Sequence, residues 1–423
     1  MEKSGASGRA SLIATLTIDA IATGGDGVGR HDGMVVFVPR TAPGDVITAG
    51  LQPRGRYARA LEMEVVTPSP ERVDPPCQHY TRDSCGGCQL QHMSYSAQLA
   101  AKQRIIRDAL QRIGRREATL PFIRPSEDEW RYRSKLTLAL RRRGSRWIGG
   151  LHKYDAPGRI FPLADCPITR REVVRVWRDV LAAAEHFPQA RELRGSVRDT
   201  GGGFSFTLQG GTRWNSHSEF FDAASSLSAL WWKPDGEETR AMHSRVAADS
   251  SEAAAAGAAF AQVNPAVAAE LHRHVLERTR AYSPDHVIDA YSGTGATALP
   301  LAADGIRVTA IELDRTAAAA TTRRLPAPSI AIAGLVEDHI AAAMPADVVL
   351  LNPPRAGVAE AVTAALETAA AAPRAVIYVS CDPATLARDL TRLPRYRIQS
   401  LVAFDMFPQT AHVETVCELV PAA

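Results

Sequence analysis

The stretch "YVSCDPATL", Tyr378–Leu386, closes an apolar run with a cysteine that stands directly before Asp-Pro. A core thiol needs no such setting. A nucleophile does, because it must sit where a strand stops and a loop opens toward a ligand. Attack requires the thiolate, so the surroundings of Cys381 are expected to lower its pKa. Asp382 reads as the cap of the turn before Pro383, and Cys417, in an apolar strand, reads as core.

A second constellation lies upstream. "VIDAYSGTGATALPLA" reads as strand, tight loop and helix. The loop carries Gly293 and Gly295 but no third spaced glycine, so the dinucleotide fingerprint is incomplete. The next strand, "VTAIELD", ends in Glu312, roughly 20 residues after the loop, where an acid accepts both hydroxyls of a ribose. With the strand-end "LLNPPR" two strands on, the set suits S-adenosylmethionine, an adenosine with no pyrophosphate to cradle. "FAQVNP" precedes this sheet, and Asn264 followed by Pro265 is a helix start, with an N-cap side chain and Pro in the first turn.

The third group is sulfur. "CQHYTRDSCGGC" supplies Cys77, Cys85 and Cys88, and "LADCPI" supplies Cys166. Cys-x2-Cys is compatible with zinc or with an iron–sulfur cluster. His79 and His92 are possible substitutes for a thiolate, although packing is the commoner role of histidine.

These groups need elements to hold them. A chain of 423 residues exceeds one ordinary core, so several domains are expected. Residues 1–70 alternate apolar runs with Gly, Pro and Asp turns, the pattern of short strands closing a small barrel; "GGDGVGR" leads into strand and is no phosphate loop. Residues 71–250 open on the cysteines, continue through the helical "SYSAQLAAKQRIIRDALQRI", and include the strands "SKLTLAL" and "FSFTLQG". Residues 251–423 alternate Val/Ile/Leu-rich runs with Ala-rich helical stretches, which means a parallel sheet covered on both faces.

Composition narrows the partners. The net charge is only +3, yet "RYRSKLTLALRRRGSR", residues 131–146, holds seven Lys or Arg and no acid. Its alternation lets one face pack while the other tracks phosphates. Arg54, Arg56, Arg59, Arg104, Arg107, Arg112 and Arg115 extend that basic set, and Trp130, Tyr132 and Phe260 are candidates for stacking on a base. No apolar run approaches a membrane span and the first residues lack a signal-peptide core, so a cytoplasmic protein with no membrane partner is expected. In a reducing compartment the six cysteines are not expected to form disulfides.

"FAQVNP", "DAYSGTG", "LLNPPRAG", "YVSCDPATLARDL" and "FDMFPQTAHVETV", in that order, resemble the bacterial and archaeal RNA (uracil-5-)methyltransferases. The resemblance implies a multidomain protein: an N-terminal TRAM-like barrel of the oligonucleotide-binding kind, a central α+β iron–sulfur domain, and a C-terminal Rossmann-like α/β methyltransferase domain. It implies RNA as the partner, ribosomal rather than transfer RNA. A monomer is expected, with no DNA partner. It implies Cys381 as the nucleophile that adds to carbon 6 of uracil, and Glu414 as the base that removes the carbon-5 proton. Gln262, Tyr291, Glu312 and Asn352, with Gly293 and Gly295, match positions that contact S-adenosylmethionine in relatives. Cys77, Cys85, Cys88 and Cys166 match a [4Fe–4S] site, although the first gap, seven residues here, is longer than usual.

Two positions depart from the pattern. Ala296 replaces a polar residue, and Asn352 stands where the family usually has Asp, so no charge offsets the sulfonium. Two competing readings follow: an amine methyltransferase, from "NPPR", and an RNA-binding protein whose catalytic domain is vestigial.

Overall fold

The computed structural model describes residues 12–245 and 262–422. Phe260, one of the candidates for stacking, lies outside them. Five strands, β1 (Leu12–Ile21), β2 (Gly27–His31), β3 (Met34–Val38), β4 (Val46–Arg54) and β5 (Tyr57–Thr67), form a closed barrel in the order β1-β2-β3-β5-β4. Alternation does the work: Ala14, Leu16 and Ile18 of β1 point inward onto Val36, Val38, Ile47 and Leu51. Asp45 is fully buried beneath the barrel, where its carboxylate takes the Ala42 and Ser69 amides and the Arg72 guanidinium. Those bonds hold its pKa below the usual carboxylate range despite burial. They also fasten the barrel to the chain that follows.

After β6 (Phe122–Arg124) come β7 (Lys135–Arg143), β8 (Arg146–His152), β9 (Ile160–Pro162), β10 (Glu192–Asp199), β11 (Phe204–Gln209), β12 (Ala229–Lys233) and β13 (Arg240–Ser244). The last seven make one sheet in the order β13-β12-β11-β10-β7-β8-β9. Leu136, Leu138 and Leu140 of β7 face a core that contains Trp177, Phe206 and Phe220.

The C-terminal unit contains β14 (His286–Ala290), β15 (Arg307–Glu312), β16 (Ile330–Ala333), β17 (Val348–Leu351), β18 (Ala375–Ser380), β19 (Tyr396–Phe404) and β20 (Glu414–Pro421). The sheet runs β16-β15-β14-β17-β18-β20-β19-β6. Strands β14 to β18 pair in parallel, and β20 returns antiparallel beside β18. Every residue of β14, β17 and β18 is buried, as expected of strands covered on both faces. Asn264 caps the helix Pro265–Arg280 by accepting from the Val267 amide, with Pro at its start. Among the described residues, no helix is long and apolar enough to cross a membrane.

Residues 95–124 fall within the central segment by sequence but pack elsewhere. The helix Tyr95–Arg112 places Ile106, Ala109 and Leu110 in the same core as Ile288, Tyr378, Leu386 and Cys417. Strand β6 pairs with Val402–Phe404 of β19. The helix carries an apolar stripe that the central sheet does not receive, and the exposed face of the C-terminal sheet does.

Leu110 is wholly buried in that shared core. Leu110→Ala is expected to cost about 2–5 kcal/mol, read as a lowered thermal midpoint. A loss below roughly 1 kcal/mol would mean that the helix does not share the core.

Candidate active site

In a parallel sheet the strand ends, and therefore the loops that follow them, gather on one edge. Tyr291–Gly295 follow β14, Glu312 ends β15, Asn352 follows β17 and Cys381 follows β18. Strand β20 runs the other way, so its first residue, Glu414, meets that same edge. Register brings the two together: Ser380 opposes Thr415, Cys381 and Glu414 are the next residues along their chains, and the Glu414 carboxyl acts on the Cys381 thiol.

The loop after β14 is tightly made. Tyr291 has a left-handed backbone, φ 61°, unusual for an aromatic residue, and Gly293 and Gly295 follow at 55° and 82°. A Cβ on Gly295 would lie 3.0 Å from the Thr321 methyl, whereas one on Gly293 would meet open space. Glu312 links the first two strand ends: its carboxylate accepts from the Gly293 amide and the Asp314 amide, each at 2.8 Å. Each oxygen keeps a second lone pair for a ribose hydroxyl. Gln262 is half-buried, and the carbonyl of its neighbour Val263 accepts from the Ser134 amide at 2.8 Å. Asn352 is exposed, and its amide is held 3.3 Å from the Ala290 carbonyl. Asp289 was not singled out from sequence. It is buried at the end of β14, bonds Thr297 at 2.5 Å, and so closes the glycine loop; burial pushes its pKa up to about 6.

Cys381 is half-buried and Glu414 is 4% exposed. Burial pushes the Glu414 carboxyl up to about 8, with Arg355 partly offsetting it. Burial and then the Glu414 carboxyl push the Cys381 thiol up, and again Arg355 draws it down. The expected lowering of the thiol pKa is therefore corrected: dehydration, with the Glu414 carboxyl, outweighs Arg355. Arg355 is held by its loop rather than by chance. Thr385 bonds the Arg355 carbonyl at 3.2 Å, Arg388 the Ala356 carbonyl at 2.6 Å, and the Val358 amide reaches Asp389 at 3.0 Å. Asp389 also accepts from Tyr378 at 2.7 Å, so one buried carboxylate ties the "NPPR" loop to the strand and helix that bracket Cys381.

Comparison with known proteins gives the family. The family model described as tRNA (Uracil-5-)-methyltransferase matches residues 336–420. An RNA methyltransferase of Nitratidesulfovibrio vulgaris, itself uncharacterized, is 32% identical across 95% of this chain and 94% of its own. The 23S rRNA (uracil(1939)-C(5))-methyltransferase of Thiobacillus denitrificans is 31% identical across 93% of this chain and 96% of its own. The chain belongs to the RNA (uracil-5-)methyltransferase family. It is an S-adenosylmethionine-dependent RNA uracil-C5 methyltransferase, not the amine methyltransferase that "NPPR" suggested. The Pyrococcus abyssi tRNA (uracil-54, C5)-methyltransferase, solved with S-adenosyl-L-homocysteine, has the same fold: TM-score 0.69 at 22% identity, covering 96% of this chain and 100% of that one.

Away from the strand edge, this methyltransferase gathers four of its other five cysteines. Cys77, Cys85, Cys88 and Cys166 are all buried and line one cavity of about 110 Å³, with Gln91 and Arg133 on its wall. Arg133 Nε and Gln91 Oε1 are buried there without hydrogen-bond partners. As they stand, no three His, Cys, Asp or Glu side chains among the described residues are set to hold a metal ion. His79 is accounted for: Nδ1 pairs with Asp83 at 2.7 Å, and Nε2 accepts from the Ala164 amide at 3.0 Å.

The basic run forms β7 and the turn into β8. Its apolar residues are inward, as the alternation predicts. On the opposite face Lys135 lies across from Arg198, and Arg194 across from Ala139. Burial, then Arg198, Arg194 and Arg133, push the Lys135 ammonium down to about 8. Arg198 is itself buried and Arg141 pairs with Glu192 at 2.6 Å, so Lys135 and Arg194 are the cations this face offers an anion. Tyr132 is not available for stacking. It is 3% exposed and its hydroxyl donates to the Pro408 carbonyl at 3.0 Å.

The Glu414 pKa predicts a pH effect of definite sign. Between its usual 4.5 and about 8, the unfolded chain releases a proton that the fold retains, so this group's contribution to stability falls as pH rises through that window. Glu414→Gln should therefore raise the thermal midpoint more at pH about 8.5 than at pH about 5. An equal shift at both would contradict the perturbed carboxyl. In the wild type, kcat/KM should climb to an inflection well above the ordinary carboxylate range, because base and thiol must both lose a proton.

Proposed function

We propose that this chain makes 5-methyluridine in 23S ribosomal RNA, with Cys381 as nucleophile and Glu414 as base. The observation that carries the chemistry is the adjacency of Cys381 and Glu414 at the end of the β18–β20 ladder, Glu414 buried, Cys381 half-buried, and both subject to the charge of Arg355. Carbon 5 of uracil is a poor nucleophile. Addition of Cys381 Sγ to carbon 6 pushes electron density onto carbon 5. S-adenosylmethionine, when bound, supplies the electrophilic methyl group. Once carbon 5 is methylated, Glu414 takes its remaining proton, the ring double bond re-forms, and the carbon–sulfur bond breaks to return the thiolate. A dry carboxylate with a raised pKa is a stronger base than one in water, which suits proton removal from carbon. Gln262, Tyr291, Gly293, Gly295, Glu312 and Asn352 would hold the methyl donor around the first strand ends. Asn352 supplies hydrogen bonding without charge there.

Ribosomal RNA is favoured by the 23S-directed relative, which aligns along nearly the full length of both chains. The five-stranded barrel and the crowded basic face of the central sheet suit a structured RNA that wraps more than one domain. The target base must leave its stack to reach Cys381. The test uses RNA from cells lacking the gene, with ribosomal and transfer fractions offered separately with labelled methyl donor. Label confined to 23S RNA is expected; label confined to transfer RNA would overturn the substrate assignment.

We also propose that Cys77, Cys85, Cys88 and Cys166 hold a [4Fe–4S] cluster. The donor set fits: four buried sulfurs line one cavity that exceeds the space of a single ion, and Arg133, on its wall, keeps a buried Nε–H without a partner that an anionic sulfur would satisfy. When bound, such a cluster would tie the chain before β7 to the segment that follows β9. Protein purified without oxygen should be brown, with about four iron and four sulfide per chain. Colourless protein with stoichiometric zinc would contradict the assignment.

A further inference from the structure

Glu414 begins a strand, and the segment before it, residues 405–413, is a loop between β19 and β20. Its carboxyl has no hydrogen-bond partner among the described residues, so its position rests on its backbone. That backbone is held by an unusual set of buried polar groups. Lys102 and Asp405 form an ion pair in which both side chains are 0% exposed. Lys102 also donates to the Phe407 carbonyl at 3.0 Å, and Tyr95 donates to Asp405 at 2.8 Å. Gln98 and Gln409 make two reciprocal bonds: Gln98 Nε2 to Gln409 Oε1 at 3.0 Å, and the Gln409 amide to Gln98 Oε1 at 2.9 Å. Gln409 sits in the left-handed region, φ 70°, and its carbonyl accepts from the amides of Gln89 and Leu90 at 3.1 and 3.0 Å. Gln89 and Leu90 directly follow Cys88.

Stability does not account for this arrangement. Dehydrating two charges costs so much that a well-packed apolar pair usually supports a fold as well or better. What an ion pair with directed hydrogen bonds adds is geometry: Lys102 fixes the loop at the Asp405 carboxylate and the Phe407 carbonyl, and Gln98 fixes it at Gln409. Lys102 and Gln98 lie one turn apart on the same helix, Tyr95–Arg112, so a single rigid element holds the loop at both points.

We propose that Lys102, Asp405, Gln98 and Gln409 are positioning residues for removal of the carbon-5 proton, and that Gln409 mechanically links the catalytic loop to the cysteine-bearing segment. The proposal rests on Glu414 being the base. Loosening the loop moves the carboxylate away from the carbon-5 proton without touching Cys381 or the methyl-donor loops. Addition to carbon 6 and methyl transfer to carbon 5 then proceed. Proton removal and release of the thiolate slow down, and the RNA stays bound to Cys381.

The test compares Gln98→Leu, the apolar pair Lys102→Met with Asp405→Leu, and Glu414→Gln as reference. Each is incubated with ordinary uridine-containing 23S RNA and methyl donor. Thermal midpoint, donor affinity by calorimetry, and the denaturant-resistant protein–RNA complex are measured. Both positioning variants should fold, bind S-adenosylmethionine within about twofold of wild type, and release RNA about ten- to a hundredfold more slowly, so that complex accumulates. Release at the wild-type rate overturns the proposal. So does loss of folding, of donor binding or of complex formation, which would make these residues structural. If Glu414→Gln accumulates no complex, the base assignment itself fails; if it does while the other variants turn over normally, only the positioning role fails.

Discussion

One pairing carries the chemistry. An antiparallel strand laid beside a parallel one brings the start of β20 to the end of β18, and so sets a carboxyl against a thiol at the only edge where ligands enter such a sheet. A wholly parallel sheet would put the two at opposite ends. Burial raises the pKa of both groups. Arg355 faces both and opposes that effect, and its loop is clamped by Asp389 and Gly357, where any Cβ would strike the Asp389 carboxylate at 2.3 Å. The site is thus poised by a balance of desolvation against one cation. A substrate that excludes further water strengthens every charge interaction within it.

The sheet does not build this site alone. The helix Tyr95–Arg112 and β6 come from a stretch that precedes the central sheet in sequence, yet both complete the C-terminal core. The loop after Cys88, Tyr132 and Gln98 all bond the segment that leads to Glu414. The central region is therefore attached to the catalytic loop by directed hydrogen bonds, and its condition bears on the geometry of the base.

Much of this was legible in sequence because it is local. Alternation gave the barrel and β7, continuous apolar runs gave the parallel sheet, Asn264-Pro265 gave a helix start, and Cys381 stands at a strand end as its setting implied. What escaped depends on contacts between distant residues. Lys102 looks like a solvated charge on a helix, and only Asp405, 303 residues away, turns it into a buried one. Tyr132 looks like a stacking platform until its hydroxyl is seen on Pro408. The Cys381 thiol was expected to be acidic, but the competition between desolvation and Arg355 is decided by burial, which no short motif encodes. Residues 95–124 were misplaced because an apolar helical stripe declares that it must be covered, not by which sheet.

The most direct measurement replaces the target uridine with 5-fluorouridine, whose carbon–fluorine bond Glu414 cannot break. With methyl donor present, the enzyme should halt as an equimolar protein–RNA conjugate, and peptide mass spectrometry should place the methylated nucleotide on Cys381. A conjugate on Cys417 or any other side chain, or methylation with no conjugate at all, would contradict the account.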